Sequence, residues 1–108
     1  MRNELLAILK PNQADFELAA GVMIRIKELS LKERIQWRQV AIESDGKNLK
    51  ADWIQSLLAV TVFDLEDKPI WDSADDVDGS EAIISKILKL VQDVNGLNAE
   101  SVDKAEGN

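Results

Sequence analysis

The commonest side chains able to do chemistry in this sequence are carboxylates. Of 108 residues, 20 are Asp or Glu, while His, Cys and Tyr are absent. Without those three types the usual nucleophile–base pairs and most transition-metal sites cannot be assembled. Carboxylate work, Ser/Thr/Lys chemistry and oxygen-ligated cations are what is left. Two adjacent pairs, Glu66–Asp67 and Asp75–Asp76, have the composition of an acid and a base. Nothing around either pair supplies the desolvation or oriented partner that would drive two pKa values apart, and in a chain this acidic such neighbours arise from composition alone. The run DSADDVDGSE also invites comparison with a calcium loop. Placing Gly79 at the invariant glycine puts Ala74 at the first ligand position and Ser85 at the last, so both end ligands are missing. The expectation is a protein that is not an enzyme, with no cofactor and no metal.

Bulk properties narrow the classes further. A net charge of −7 with no basic cluster argues against nucleic acid and suits solubility or a basic protein partner. No run of 18 apolar residues occurs, so no membrane span is expected. The opening MRNELLAILKPNQ carries a Glu inside its apolar stretch and no small-residue cleavage site, unlike a signal peptide. The lack of Cys suits a cytosolic protein.

With catalysis set aside, the tryptophans and their neighbours are the candidate interaction residues. Trp37, Trp53 and Trp71 are of the type that anchors either a core or a partner pocket. Together with Leu57, Pro69 and Ile70 they form the candidate interface set. Trp71 follows Pro69 and precedes a polar run, which makes it the most exposed of the three by expectation.

These residues need elements to hold them. Residues 3–9 form two helical turns stopped near Pro11. Phe16 and Leu18 alternate with acids, and Val22, Ile24 and Ile26 share a face at period two, which favours an antiparallel hairpin joined through Gly21. One helix over 14–29 is the competing pattern. Ser30 with Glu33 is a capping box opening a helix. That helix shows two apolar patches, Leu31–Ile35–Ile42 and Trp37–Val40–Ala41, and ends at the loop DGKN (45–48). Two patches fit a helix wedged between neighbours in one domain, or a core face plus a partner face. Residues 51–63 follow helical spacing, with a strand alternative for the β-rich last four. VFDLEDKPIWD (62–72) is a chain reversal whose Pro69 stiffens the exit, so that Ile70 and Trp71 dock on the domain or on a neighbouring subunit. Ile83, Ile84, Ile87, Leu88, Val91 and Val94 make the strongest helical stripe, with an Asp-type cap from Asp78 and Glu81 and a left-handed stop at Asn95-Gly96-Leu97. The polar tail reads as a frayed turn that Asn98 could cap. The expected fold class is α+β, mainly α-helical: a short N-terminal β-hairpin followed by about three helices in one domain spanning 1–97, then a polar tail, 98–108.

Asp64-Leu65-Glu66-Asp67-Lys68-Pro69-Ile70-Trp71 resembles a motif of the form D-x-D-G-K-P-L-F found in the tail assembly chaperones of long-tailed bacteriophages. Ile24-Arg25-Ile26-Lys27-Glu28-Leu29-Ser30 with Glu33-Arg34 is similar to that family's V-R-V-R-E-L-S…E-R stretch. Leu90–Leu97 followed by Ala99-Glu100-Ser101-Val102 and Lys104 resembles its ending. Order and spacing agree over about residues 15–106. One departure stands out: Asp67 occupies the place of the family's turn glycine, which supplies a positive φ, so a different turn geometry is expected here.

The resemblance implies a non-enzymatic chaperone, located in the cytoplasm of the bacterial host and absent from the finished virion. Its client would be the phage tape-measure protein, with tail-tube protein a further partner and a homo-oligomer the working form. In many members a frameshift near residues 98–108 makes a longer form. The rival classes are a small acidic adaptor or inhibitor that binds one host protein stoichiometrically, and a carboxylate-based hydrolase using Asp75 or Asp76 with Mg²⁺.

Overall fold

The period-two alternation after Pro11 is a hairpin, not the competing single helix. In a computed structural model that describes residues 1–97, strand β1 (Gln13–Ala19) runs antiparallel to β2 (Val22–Lys27). Ala20 and Gly21 make the turn, and Gly21 takes φ +76, which it adopts without a Cβ penalty. A third strand, β3 (Val62–Phe63), pairs antiparallel with the other side of β2 through Arg25↔Phe63 and Ile26↔Val62. The sheet order is β1-β2-β3. Because side chains alternate across the sheet, Ile24, Ile26 and Val62 are buried on one face, while Asp15, Arg25 and Phe63 line up across the other.

Among the described residues four α-helices complete an α+β domain. Helix α1 (Arg2–Leu9) precedes the hairpin, and α2 (Leu31–Ala41), α3 (Trp53–Thr61) and α4 (Glu81–Asn95) follow it. The capping box at α2 is complete: Ser30 Oγ accepts from the Glu33 N–H at 3.2 Å and Glu33 Oε1 accepts from the Ser30 N–H at 2.9 Å. Of the two apolar patches on α2, Trp37 and Ala41 turn inward, whereas Leu31 is 77% exposed and Ile35 is also exposed. The wedged-helix arrangement is therefore not what forms. Helix α2 packs chiefly on α3, and Leu31 and Ile35 of its first patch are left uncovered, while Ile42 is partly buried.

Helix α3 ends earlier than the helical spacing over 51–63 suggests. The chain passes from Thr61 straight into β3 at Val62, whose N–H still donates to the Leu58 carbonyl. Thr61, fully buried, satisfies its hydroxyl on the Leu57 carbonyl at 2.7 Å. The β-branched run thus closes the helix and supplies the third strand.

Helix α4 packs against β1, β2 and α3, with Ile87 and Val91 buried and Ile84, Leu88 and Val94 partly so. Its N-cap is Ser80, whose Oγ accepts from the Ile83 N–H at 3.5 Å, and not Asp78, whose carboxylate accepts from the Gly79 N–H instead. At the other end Gly96 takes φ +66, and the Leu97 N–H donates to the Gln92 carbonyl at 2.7 Å, with Leu97 packed on the core. Asn95, 3% exposed, does more than stop the helix. Its Oδ1 accepts from the Leu29 N–H at 2.8 Å, and its Nδ2 donates to the carbonyls of Lys27 (3.3 Å) and Val91 (3.0 Å). The Arg34 guanidinium donates to the Asn95 carbonyl. This one amide fastens the end of α4 to the β2–α2 junction, satisfying backbone groups whose burial unpaired would cost about 1–3 kcal/mol each.

The expected tail turn with Asn98 as its cap, and the Ala99–Lys104 part of the family resemblance, lie outside the described residues. No described helix is long and apolar enough to cross a membrane.

Candidate functional site

Helices α2 and α3 pack side by side without closing completely. On α2, Glu33, Gln36, Trp37 and Val40 fall at i, i+3, i+4 and i+7, one face of the helix. On α3, Ser56, Ala59 and Val60 face them, and the segment Asp72–Ala74 forms a third wall. The groove between them has a volume of about 420 Å³ and is mainly apolar. Trp37, 8% exposed, lies in it with its ring held in place: the indole N–H donates to Ser56 Oγ at 3.0 Å, and that hydroxyl donates onward to the Trp53 carbonyl at 2.9 Å. Val60, 45% exposed, and Val40 stand exposed beside it. The charges in the lining are Glu33 and Asp72, with no Lys or Arg. Ser56 is committed to two hydrogen bonds and has no base beside it among these residues. What this surface offers is apolar contact with an acidic border.

The reversal at 62–72 is built beside the sheet. The Asp64 carboxylate accepts from the Glu66 N–H (2.8 Å) and the Lys68 N–H (3.0 Å), and the Asp64 N–H donates to the Lys68 carbonyl (2.9 Å). Pro69 pairs back with Phe63, and the Ile70 N–H donates to the Val62 carbonyl at 3.2 Å. Asp67 adopts φ +66. The expected change of turn geometry does not occur: Asp takes the left-handed conformation that glycine would supply. Its carboxylate is positioned by that conformation to accept from Arg25 at 2.9 Å and to pair with Lys27 at 3.1 Å.

Arg25 also holds Asp15 through two bonds, Nε to Oδ1 at 2.8 Å and Nη2 to Oδ2 at 3.1 Å. An ionic ladder thus crosses the solvent face of the sheet, with the Lys27 ammonium 4.3 Å from the centre of the Phe63 ring. Hydrogen bonds from Arg25 hold Asp15 and Asp67 below the usual carboxylate range, Lys27 adding to the effect at Asp67, and raise the Arg25 pKa further. Among the described residues no group of three carboxylates converges as a metal site.

The six candidate interface residues do not form one surface. Trp37 lies in the groove. Leu57 is 0% exposed in the core, because its position on α3 faces inward toward the sheet and α4, so it is a packing residue and not an interface one. Trp53 and Trp71 are half-buried against the core, while Pro69 and Ile70 are exposed on the reversal. The apolar residues that α2 and α3 bring to the groove and that set leaves out are Val40, Ala59 and Val60. Val40 was legible as part of the second patch on α2; Ala59 and Val60 carried no signal separating them from core positions.

Compared with protein-family models, with curated proteins and with solved structures, the chain matches none.

Proposed function

We propose that this chain is a non-enzymatic tail assembly chaperone that holds the phage tape-measure protein soluble until tail-tube subunits polymerise around it. The observation that carries this reading is the open apolar groove between α2 and α3, bordered by acid and flanked by exposed Val40 and Val60. A long, largely helical client presents repeated apolar stripes, and a groove between two helices receives such a stripe by shape and burial without demanding one sequence. The uncovered Leu31–Ile35 patch on the far side of α2 gives each copy a second weak contact. Contacts of this kind, repeated over a homo-oligomer, hold a client by avidity and release it when tube subunits compete. The net charge of −7 keeps the loaded complex soluble. The reversal at Asp64–Trp71 supports the same reading, since Asp67 keeps the backbone conformation that the family's glycine would have. Such a protein works in the host cytoplasm and leaves before the virion is finished.

The test is co-expression with a long tape-measure-type protein that is insoluble alone. The expected result is a soluble client that co-purifies with many copies of this chain, and a Val60→Lys variant that stays folded but fails to retain it. A client that remains insoluble overturns the proposal. Recovery instead of a one-to-one complex with a protein unrelated to tails replaces it with the stoichiometric adaptor.

A further inference from the structure

Helix α1 buries none of its residues: Leu5, Leu6, Ile8 and Leu9 are all exposed, Leu9 to 65%. Met1, Leu5, Ile8 and Leu9 follow one another at i, i+4, i+7 and i+8, which aligns them in a single stripe, while Glu4 and Lys10 fall outside it. An eight-residue helix is marginal in water on its own, and an apolar stripe of this kind is stabilised by a surface to lie on. Its own domain is poorly placed to offer one. Asn12 is pinned to Glu28 by two bonds, its N–H donating to Oε1 at 2.9 Å and its carbonyl accepting from the Glu28 N–H at 2.8 Å. Only Lys10 and Pro11 connect that anchor to the helix. Lys10 is extended, and Pro11 has a fixed φ. Two residues reach about 7 Å at most, so the link works as a stiff spacer that carries α1 away from the body.

We propose that α1 is an exchange arm that seats in the α2–α3 groove of a second copy of this chain. The two surfaces match in chemistry. The arm offers Leu and Ile side chains, and the groove offers Trp37, Val40, Ala59 and Val60. Residues 1–10 carry Arg2 and Lys10 against the single acid Glu4, in a chain that is otherwise strongly acidic. The groove lining carries Glu33 and Asp72 and no cation. The chain therefore pairs an apolar arm, whose side chains over residues 1–10 carry two cations against one acid, with an acid-bordered apolar slot, and a short rigid link favours meeting between copies over closure within one. This inference goes beyond the client reading and holds whatever the client is. Where both hold, arm and client compete for the same groove, so that an unloaded assembly covers its own sticky surface.

The absence of Cys makes the test clean, since engineered thiols report only the designed pair. Chains with Leu5→Cys or Leu9→Cys are mixed with chains carrying Val60→Cys and oxidised, and the native chain is run by light scattering. The expected result is a disulfide between two chains in the mixture, several-fold above either variant alone, and a native dimer or larger assembly. A variant with both Leu5→Asp and Leu9→Asp, its far-UV spectrum preserved, should elute as a monomer. A Leu9→Cys, Val60→Cys double variant that closes within one chain overturns exchange in favour of self-docking. A native monomer without cross-links, or an assembly that survives the Asp substitutions, overturns it outright. Client binding without cross-linking sinks the exchange alone, and cross-linking without client binding sinks the chaperone reading alone.

Discussion

Asp67 sits at φ +66, where a Cβ crowds the following carbonyl, and its carboxylate still reaches both Arg25 and Lys27. Backbone and side chain therefore favour different residues at this position. Asp67→Gly relaxes the backbone and loses the ion pairs; Asp67→Ala loses the ion pairs and keeps the strain. In thermal unfolding followed by circular dichroism, the Ala variant should melt below the Gly variant. Added salt should narrow the gap between wild type and Gly but leave the gap between Gly and Ala, because screening acts on charges and not on sterics. Equal midpoints for the two variants would mean that the left-handed conformation carries no strain. Asn95 illustrates the opposite situation: its helix-stop role is local, but the bond to the Leu29 N–H spans 66 residues of sequence and appears only when α4 lies on the sheet.

Helix α3 shows why one element can hold both core and surface at neighbouring positions. Leu57 faces inward and is fully buried, whereas Val60, three residues on, stands exposed beside the groove. Leu57→Ala should cost about 2–5 kcal/mol in urea unfolding, the loss expected for truncating a buried Leu where the cavity cannot collapse. Val60→Lys should stay within about 0.5 kcal/mol of wild type, as exposed substitutions do. If the groove is the contact surface, the stable variant is the one that loses its client and its self-association, and the unstable one retains both while folded. The reverse pattern would place the contact elsewhere on the domain. Helix α2 follows the same logic, with Trp37 and Ala41 inside and Leu31 and Ile35 left bare.

At the scale of the molecule, charge governs how the fold responds to pH. Asp15 and Asp67 are lowered by Arg25, and Asp45 by the backbone N–H groups of Lys47 and Asn48. A carboxylate with a lower pKa folded than unfolded contributes stability that is fully present above its unfolded value, near 3.8, and is lost as pH falls through the folded one. These three groups should therefore leave stability unchanged between neutral pH and about pH 5, and reduce it below about pH 4. All three are solvent-exposed, so the decline they cause is modest. Urea midpoints measured across that range should fall on the acid side, and Asp67→Asn should flatten the fall. An identical acid limb in the variant would show that the Asp67 pairs with Arg25 and Lys27 contribute nothing.

The signals legible in the sequence were those whose cause lies within a few residues. The hairpin followed from alternation around Gly21, the start of α2 from Ser30 and Glu33, and the end of α4 from Gly96 in a left-handed conformation. The reversal at 62–72 was legible for the same reason, since Asp64 and Pro69 shape it locally. Periodicity also showed that α2 carries two apolar patches, but not which would be buried. That choice depends on where α3 comes to rest, and so does the existence of the groove, whose walls come from three separate stretches of chain. Whether residues 60–63 finish a helix or start a strand was likewise settled by β2, whose free edge gives Val62 and Phe63 partners that no neighbouring residue could supply. Local chemistry determines the period, caps and turns of an element because those interactions close within one or two turns of backbone. Which face of the element is buried is decided by contacts between distant segments, and those exist only in the tertiary structure.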